Sequence, residues 1–408
     1  LRDYLRQLLA RAGAVGLPEP SIMQSSGGLT TAAAASEHAA FTVLSGPAGG
    51  AAAAALLSRA TDTPDLLCFD MGGTSCDVCV VQDGRVRETA GREVAGRELA
   101  LPMVDIHTVG AGGGSVAWRD AGGALRVGPR SAGAVPGPAC YGAGGTEPTV
   151  TDAHLVLGHL DPAVPLPGGI LLDADAAHRA VATLAAELEL GARETAAGIL
   201  RVADAEMVRA LRVMTVERGI DPRGFTLLAF GGAGPLHATS IAAELGIRRV
   251  MVPWTGGVLS ALGLAAADRR QDEARTVLLR GDAMTEAALR EVSAGADEVA
   301  WDLRYRGQSF ELTLHGVPPE PQALRRAFDA EHAARYGYAD PSAELELVTV
   351  RRTHRVPGPS LDLHGGQEPP PPTHGPAVIR LPGSTLLVGE GWESRTDSTG
   401  TIVVERSA

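Results

Sequence analysis

The apolar positions of this chain fall into short continuous runs broken by glycine, and the sharpest of these breaks comes early. Leu66–Phe69 is an apolar run, and Val78–Val81 is another. Between them stands Asp70-Met-Gly-Gly-Thr-Ser-Cys-Asp77, which predicts strand, tight glycine turn, strand. Thr226–Phe230 repeats the theme: a buried strand feeds Gly231-Gly232-Ala233-Gly234-Pro235, then a helix over Leu236–Leu245 and a strand over Arg249–Val252. Helical spacing marks Leu1–Ala14, ended by Gly16 and Pro18. It also marks an alanine-rich stretch from Ser45 to Arg59, a helix capped by Asp173 and running to Leu190, and a helix over Glu194–Arg218. In the last of these, Ile199, Val202, Met207, Leu211 and Met214 form a core face, and Gly219 stops it. Thr151 or Asp152 is expected to cap a further helix.

Polar alternation predicts a strand pair within Arg85–Leu101. From Asp268 the pattern changes: a helix over Ala287–Ala300, a strand over Leu303–Leu314 with a break at Gly307-Gln308, a helix over Pro321–Arg335 and a strand over Leu345–Thr353. A Pro/Gly-rich linker, 357–376, contains four consecutive prolines, Pro369–Pro372. The last segment reads as short strands of structural character.

The chemistry-bearing residues cluster at the glycine breaks. Consecutive N–H groups at Gly72, Gly73, Thr74 and Ser75 would make an anion nest, with Asp70 and Asp77 beside it to hold Mg²⁺ directly or through water. An ordinary hairpin with a Gly-Gly turn has the same pattern. Ser45-Gly-Pro-Ala-Gly-Gly50 opens a helix, where free N–H groups suit an anion; close helix packing needs the same glycines. Gly231, Gly232 and Gly234 sit where α/β proteins hold nucleotides, although the run is not the dinucleotide fingerprint. His237, in the following helix, reads as a phosphate or ribose contact or as a satisfied capping residue. Asp105 and His107 alternate on one strand and form a candidate substrate or metal contact. The glycine-rich stretch Gly128–Gly142 reads as a long ordered loop near the site.

Composition narrows the choices. Of the 408 residues 45% are hydrophobic and 4% aromatic, with a formal net charge of −12 and a pI near 5.4, which excludes nucleic acid and anionic membrane as main partners. All 36 basic residues are Arg. The absence of Lys removes Schiff-base chemistry and the Walker-type P-loop. Cys68, Cys76, Cys79 and Cys140 are the four cysteines; Cys76 and Cys79 point to opposite faces of a strand, so core packing is expected rather than metal binding. A reduced, cytoplasmic protein is expected, with no apolar run of membrane-spanning length. The chain starts at Leu1 and reads as a processed product or the C-terminal part of a longer one.

Several of these stretches together resemble the hydantoinase A/5-oxoprolinase family. They are Ser45-Gly-Pro-Ala-Gly-Gly50, Phe69-Asp-Met-Gly-Gly-Thr-Ser-Cys-Asp-Val78, Asp105-Ile-His-Thr-Val-Gly-Ala-Gly-Gly-Gly-Ser115, Gly133-Ala-Val-Pro-Gly-Pro-Ala-Cys-Tyr-Gly142, Phe230-Gly-Gly-Ala-Gly-Pro-Leu-His-Ala238, Arg335-Tyr-Gly-Tyr338 and Gly375-Pro-Ala-Val-Ile379. The resemblance implies an α/β fold with an actin-like/sugar-kinase/Hsp70-type (ribonuclease H-like) ATPase core and an α+β C-terminal region ending in short β-strands. It implies ATP and Mg²⁺ as cofactors. Gly72, Gly73 and Thr74 would then be the second phosphate hairpin, Asp70 the magnesium-side carboxylate, and Gly231, Gly232 and Gly234 the adenosine loop. The implied activity is ATP-dependent opening of a small cyclic amide, a hydantoin or 5-oxoproline, by an A-type subunit working with a B-type partner in a homo- or hetero-oligomer. Relatives that carboxylate acetone or acetophenone supply an alternative, and a nucleotide-binding scaffold inactive alone is another. This chain departs from the family at Cys76, where Thr is usual, and shows no first Asp-x-Gly-Gly-Thr hairpin. The expected division is a remnant of a preceding region over 1–38, an ATPase-like domain over 39–268, an α+β domain over 269–356, the linker over 357–376 and a small β segment over 377–408.

Overall fold

The computed structural model describes residues 1–89, 91–94, 96–99, 101–361 and 368–407; part of the expected linker, 362–367, and the last residue of the chain lie outside the described residues. A nine-stranded mixed sheet forms the centre. Its first strands are β1 (Leu66–Met71), β2 (Cys76–Gln82), β3 (Ile106–Val109), β4 (Thr226–Phe230) and β5 (Arg249–Pro253), in the spatial order β3–β2–β1–β4–β5. Strands β1, β4 and β5 run parallel, while β2 is antiparallel to both β1 and β3. Thr401–Arg406, Trp392–Thr396 and Thr373–His374 continue the sheet beyond β5. The segment expected as a small separate β unit thus supplies strands to the central sheet.

The continuous apolar runs are explained by cover on both faces. Leu67, Phe69 and Met71 of β1 pack into one core cluster and Leu66 and Cys68 into another. Cys76 and Cys79 part in the same way between the two clusters, and all four cysteines are buried free thiols. The helices are α1 (Ser45–Ala60), α2 (Val150–Leu157), α3 (Ala174–Leu188), α4 (Ala192–Met214), α5 (Gly234–Leu245) and α6 (Leu259–Ala266). Asp173 caps α3 by accepting from the Ala176 N–H at 2.8 Å. Thr149, not Thr151, caps α2; Asp152 is its partner in a capping box, because the chain enters the helix two residues earlier than its polar pattern suggests.

Helices α1 and α6 pack through glycine. A Cβ on Gly49 would sit 2.7 Å from the Ser260 carbonyl oxygen, and one on Gly263 would sit 1.9 Å from the Gly49 carbonyl oxygen. Close packing therefore accounts for Gly49 and Gly50, whereas Gly46 faces open space. Gly263→Ala is expected to cost about 3 kcal/mol in a urea unfolding titration, since rigid backbone on the other helix must move. An unchanged midpoint would mean the two helices slide apart freely.

A six-stranded sheet forms a second layer system, in the order Ser21–Met23, Leu29–Thr31, Arg269–Arg280, Leu345–Val356, Glu298–Tyr305 and Leu312–His315. Strands from the expected N-terminal remnant thus share a sheet with the C-terminal region. The expected single strand over Leu303–Leu314 is two antiparallel strands, with Gly307 at φ +89° in the turn. The helix expected over Ala287–Ala300 stops at Ser293; Gly295, at φ +78°, turns the chain into Glu298–Tyr305. Among the described residues no helix is long and apolar enough to cross a membrane.

Candidate active site

The turn between β1 and β2 is held from behind. Gly72 N–H donates to the Ser75 carbonyl at 3.1 Å, while the Gly72 and Gly73 carbonyls accept from Gly113 and Gly114 at 3.0 and 2.7 Å. A Cβ on Gly112 would lie 2.6 Å from the Thr74 nitrogen, so only glycine lets this second loop come so close. Thr151 fixes that loop in turn, donating its N–H and its hydroxyl to the Gly113 carbonyl, each at 2.8 Å. With the Gly72 and Gly73 carbonyls anchored, Gly73 and Thr74 stay exposed at the tip, and no described residue accepts their N–H groups. Free N–H groups over a fixed backbone are the chemistry of an anion cradle.

The loop after β4 meets this turn directly. Gly231, at φ +80°, donates to the Gly256 carbonyl at 3.0 Å, and Ala233 N–H donates to the Met71 carbonyl at 3.0 Å. Gly72, Gly73, Gly232 and Ala233 then share the wall of a cavity of about 820 Å³. Further walls come from Gly113, Tyr141, Thr151 and Leu236, from the segment Gly158–Leu172 and from the hairpin Val378–Thr385. The C-terminal tail, expected to be structural, therefore also lines the cavity. Its Gly383 packs against Gly257, where a Cβ would fall 2.6 Å from the Gly383 backbone.

Asp70 and Asp77 are register partners across β1 and β2, on the face turned toward α1 and α6. Ser260 donates to Asp70 Oδ2 at 2.9 Å, and Thr108 donates to Asp77 Oδ1 at 2.5 Å. Burial pushes the Asp70 carboxyl up to about 6; the Ser260 bond opposes this and the neighbouring Asp77 charge adds to it. Burial raises Asp77 too, against its Thr108 bond. Neither carboxylate has an ion-pair partner among the described residues. Two half-buried carboxyls without a cation fit Mg²⁺, which takes one or two carboxylates together with water and phosphate oxygen.

Of the residues singled out in the sequence, Gly72, Gly73 and Gly232 line the cavity, whereas Asp70, Asp77, Asp105 and His107 do not. Asp105 is ion-paired with Arg218, and His107 lies opposite Val78 in the β2–β3 register. Burial holds the His107 imidazole below its ordinary range, with Arg92 and Arg218 adding to the effect. Among the described residues no group of three His, Cys, Asp or Glu side chains could hold a metal ion. Sequence reading missed His159 in the cavity wall and His154 behind it; His154 bonds to both His159 and His237. Their only linear signal was two histidines in one short stretch.

The mixed sheet with paired glycine loops defines a class, and the comparisons name it. Residues 1–273 match the family model described as hydantoinase/oxoprolinase, and the chain belongs to that family. It is 36% identical over 445 residues to an uncharacterized protein of Methanocaldococcus jannaschii, covering 94% of this chain and 65% of that one. It is 36% identical over 332 residues to caprolactamase subunit alpha of Pseudomonas jessenii, covering 73% of this chain and 47% of the relative. The chain thus spans less than two thirds of either. The nucleotide-free structure from ATP-dependent acetone carboxylation superimposes at a TM-score of 0.81 with 25% identity, covering 99% of this chain and 67% of that one.

Proposed function

We propose that this chain is the nucleotide-binding, A-type part of an ATP-dependent enzyme that opens a small cyclic amide. In this reading the phosphates of ATP lie on Gly72, Gly73, Thr74 and Ser75, and the adenosine on Gly231, Gly232 and Gly234. Mg²⁺ is held at Asp70, with Asp77 beside it. The observation that carries the reading is the meeting of the two glycine loops on one cavity through the Ala233 to Met71 bond. The strand order β3–β2–β1–β4–β5, with β2 antiparallel, supports an actin-like/sugar-kinase/Hsp70-type core. The similarity to a caprolactamase subunit supports a cyclic amide as the substrate class. An amide carbonyl is a poor electrophile; transfer of a phosphoryl group to its oxygen makes a leaving group, and the protein's part is to position phosphate and offset its charge. Ring opening itself falls to a B-type partner in a hetero-oligomer. The four buried free thiols accord with a reducing cytoplasm. We keep the division at 39–268, 269–356 and 377–408 as a functional proposal, although strands cross it.

Calorimetric titration with Mg-ATP and Mg-ADP tests the reading. One-site saturable binding is expected; a folded chain that binds neither overturns it. The acetone carboxylase superposition favours a second reading, the ATP-using subunit of a ketone carboxylase. ADP release in the presence of a B-type subunit separates the two: dependence on a lactam or hydantoin supports the first, and dependence on a ketone with bicarbonate supports the second.

A further inference from the structure

Four side chains behind the cavity wall form one hydrogen-bonded line through the core. Asp204 stands on α4, His237 in the first turn of α5, His154 on α2 and His159 just past the end of α2. Asp204 Oδ1 lies 2.6 Å from His237 Nδ1. His237 Nε2 lies 3.1 Å from His154 Nε2, and His154 Nδ1 lies 3.0 Å from His159 Nδ1. His154 and His237 are 2% and 1% exposed. The ends of the line are more open: Asp204 keeps 20% of its side-chain surface, and His159 lines the cavity.

Each ring-to-ring contact needs one proton between its two nitrogens. An ionised carboxylate only accepts, so His237 carries its proton on Nδ1. His237 Nε2 then accepts, and His154 donates from its own Nε2. His154 Nδ1 accepts in turn, and His159 donates from Nδ1. With neutral rings the line has this one solution, and it leaves His159 Nε2 as an unprotonated base with no bonding partner among the described residues. Burial, with the neighbouring rings, holds His154 well below the ordinary imidazole range; burial also lowers His159, with His237 and Arg193 adding to it. The second carboxylate oxygen of Asp204 accepts from Ser240 at 2.7 Å, which fixes the outer end.

We propose that Asp204, His237, His154 and His159 are an acid–base relay opening on the cavity, with His159 Nε2 taking and returning the proton of a weakly acidic N–H or O–H group on a small molecule bound there. When His159 Nε2 gains the proton, the ligand's N–H or O–H bond breaks and its electron pair stays on the ligand. The Nδ1 proton of His159 passes to His154, the Nε2 proton of His154 to His237, and the Nδ1 proton of His237 to Asp204, which becomes a neutral acid. No charge is left inside the core. The reverse shift hands one proton back, so no ring has to turn and no oxidant or reductant is needed. A fully ionised triphosphate has no proton to give. The proton donor is therefore an amide, a hydroxyl group or a water molecule, held in the cavity that the two glycine loops also line. Arg193 and the Asp161–Arg380 ion pair are the other charges facing His159. Asp204, His237 and His154 are positioning residues; His159 alone touches the ligand.

The test is long-range proton–nitrogen NMR on the full chain labelled at histidine, without nucleotide, with His159 assigned through His159→Gln. Expected are Nδ1–H on His159, Nε2–H on His154 and Nδ1–H on His237. Asp204→Asn keeps the acceptor and removes its charge, so the pH at which His159 protonates should fall by about one unit. His154→Phe cuts the line, and His159 should revert to the Nε2–H form that free imidazole prefers. Nε2–H on His159 of the wild-type protein overturns the proposal, as does a His159 midpoint unmoved by Asp204→Asn. Should His154→Phe fail to fold, the wild-type tautomers and Asp204→Asn decide. Because the tautomers are read without nucleotide, wrong tautomers in a chain that binds Mg-ATP overturn the relay alone, and the expected tautomers in a chain that binds no nucleotide overturn the nucleotide site alone.

Discussion

An Asp70→Asn chain is expected to be more stable than wild type at pH 7 and to bind Mg-ATP more weakly. The two effects have one cause. Asp70 titrates near 6 in the folded protein, against an ordinary value of 3.8. Between those values the folded chain holds a proton that the unfolded chain releases, so this carboxyl contributes stability below about pH 4 and loses it as pH rises through 6. The full shift corresponds to about 3 kcal/mol, and partial exposure reduces what is realised to about 1–2 kcal/mol. Asn stays neutral at every pH, matches the carboxyl in size and still accepts the Ser260 hydroxyl. Urea unfolding of the two chains should therefore agree near pH 4 and diverge toward pH 7, with the variant ahead. Mg²⁺ should close that gap by stabilising the wild type alone. Removing the carboxylate charge from the cation side should weaken Mg-ATP by about a hundredfold. A variant that binds Mg-ATP like wild type would remove Asp70 from the site, and one whose stability tracks wild type across pH would remove the burial argument.

What the sequence disclosed depended on how each feature is encoded. Strands β1 and β4 could be read nearly to the residue, because cover on both faces demands unbroken apolar runs such as Thr226–Phe230. The Asp173 cap is local chemistry and was equally legible, whereas the long helix expected to run to Gly219 ends at Met214, and Gly219 closes only the short 3-10 turn Val216–Arg218 that follows. The twelve-residue strand Arg269–Arg280 was not: its pairing with Leu345–Val356 rests on charge, as in Arg352 with Glu273, rather than on apolar alternation. Nor could the sequence show that residues 21–31 and 269–280 share a sheet, which a buried Arg270, bonded to Glu88 and packed on Gly28, secures. Both glycine loops of the site stand out in the sequence, but their meeting is tertiary. The relay was hidden for the same reason. His159 and His154 lie together at the end of one helix, but His237 and Asp204 come from two others, and no spacing rule joins the four. Asp105 and His107 read as a strand pair, yet Asp105 falls between the strands Met103–Val104 and Ile106–Val109, and its carboxylate is ion-paired with Arg218.

The glycines of the site should divide sharply when each is changed to alanine. Gly231 sits at φ +80°, and its Cβ would lie 2.4 Å from the Met71 carbonyl oxygen and 2.5 Å from Asp70 Oδ1. The left-handed backbone costs about 1 kcal/mol for any side chain. Relieving the clash costs about 1–3 kcal/mol more, because a strand backbone must yield. The Ala233 to Met71 bond that joins the two loops is strained by the same movement, a further loss of about 1 kcal/mol. Gly231→Ala should thus lose about 4 kcal/mol in urea unfolding. Gly72 is the opposite case. Its φ is not positive, and a Cβ there meets nothing within 4 Å, so Gly72→Ala should keep wild-type stability to within about 0.5 kcal/mol. The space that a Gly72 methyl would fill is part of the cavity wall at the hairpin tip. If phosphate approaches the backbone there, Gly72→Ala weakens Mg-ATP without touching the fold, and its calorimetry reads the site free of stability. Wild-type affinity in Gly72→Ala would move the phosphates off the tip and leave that glycine as a turn residue only.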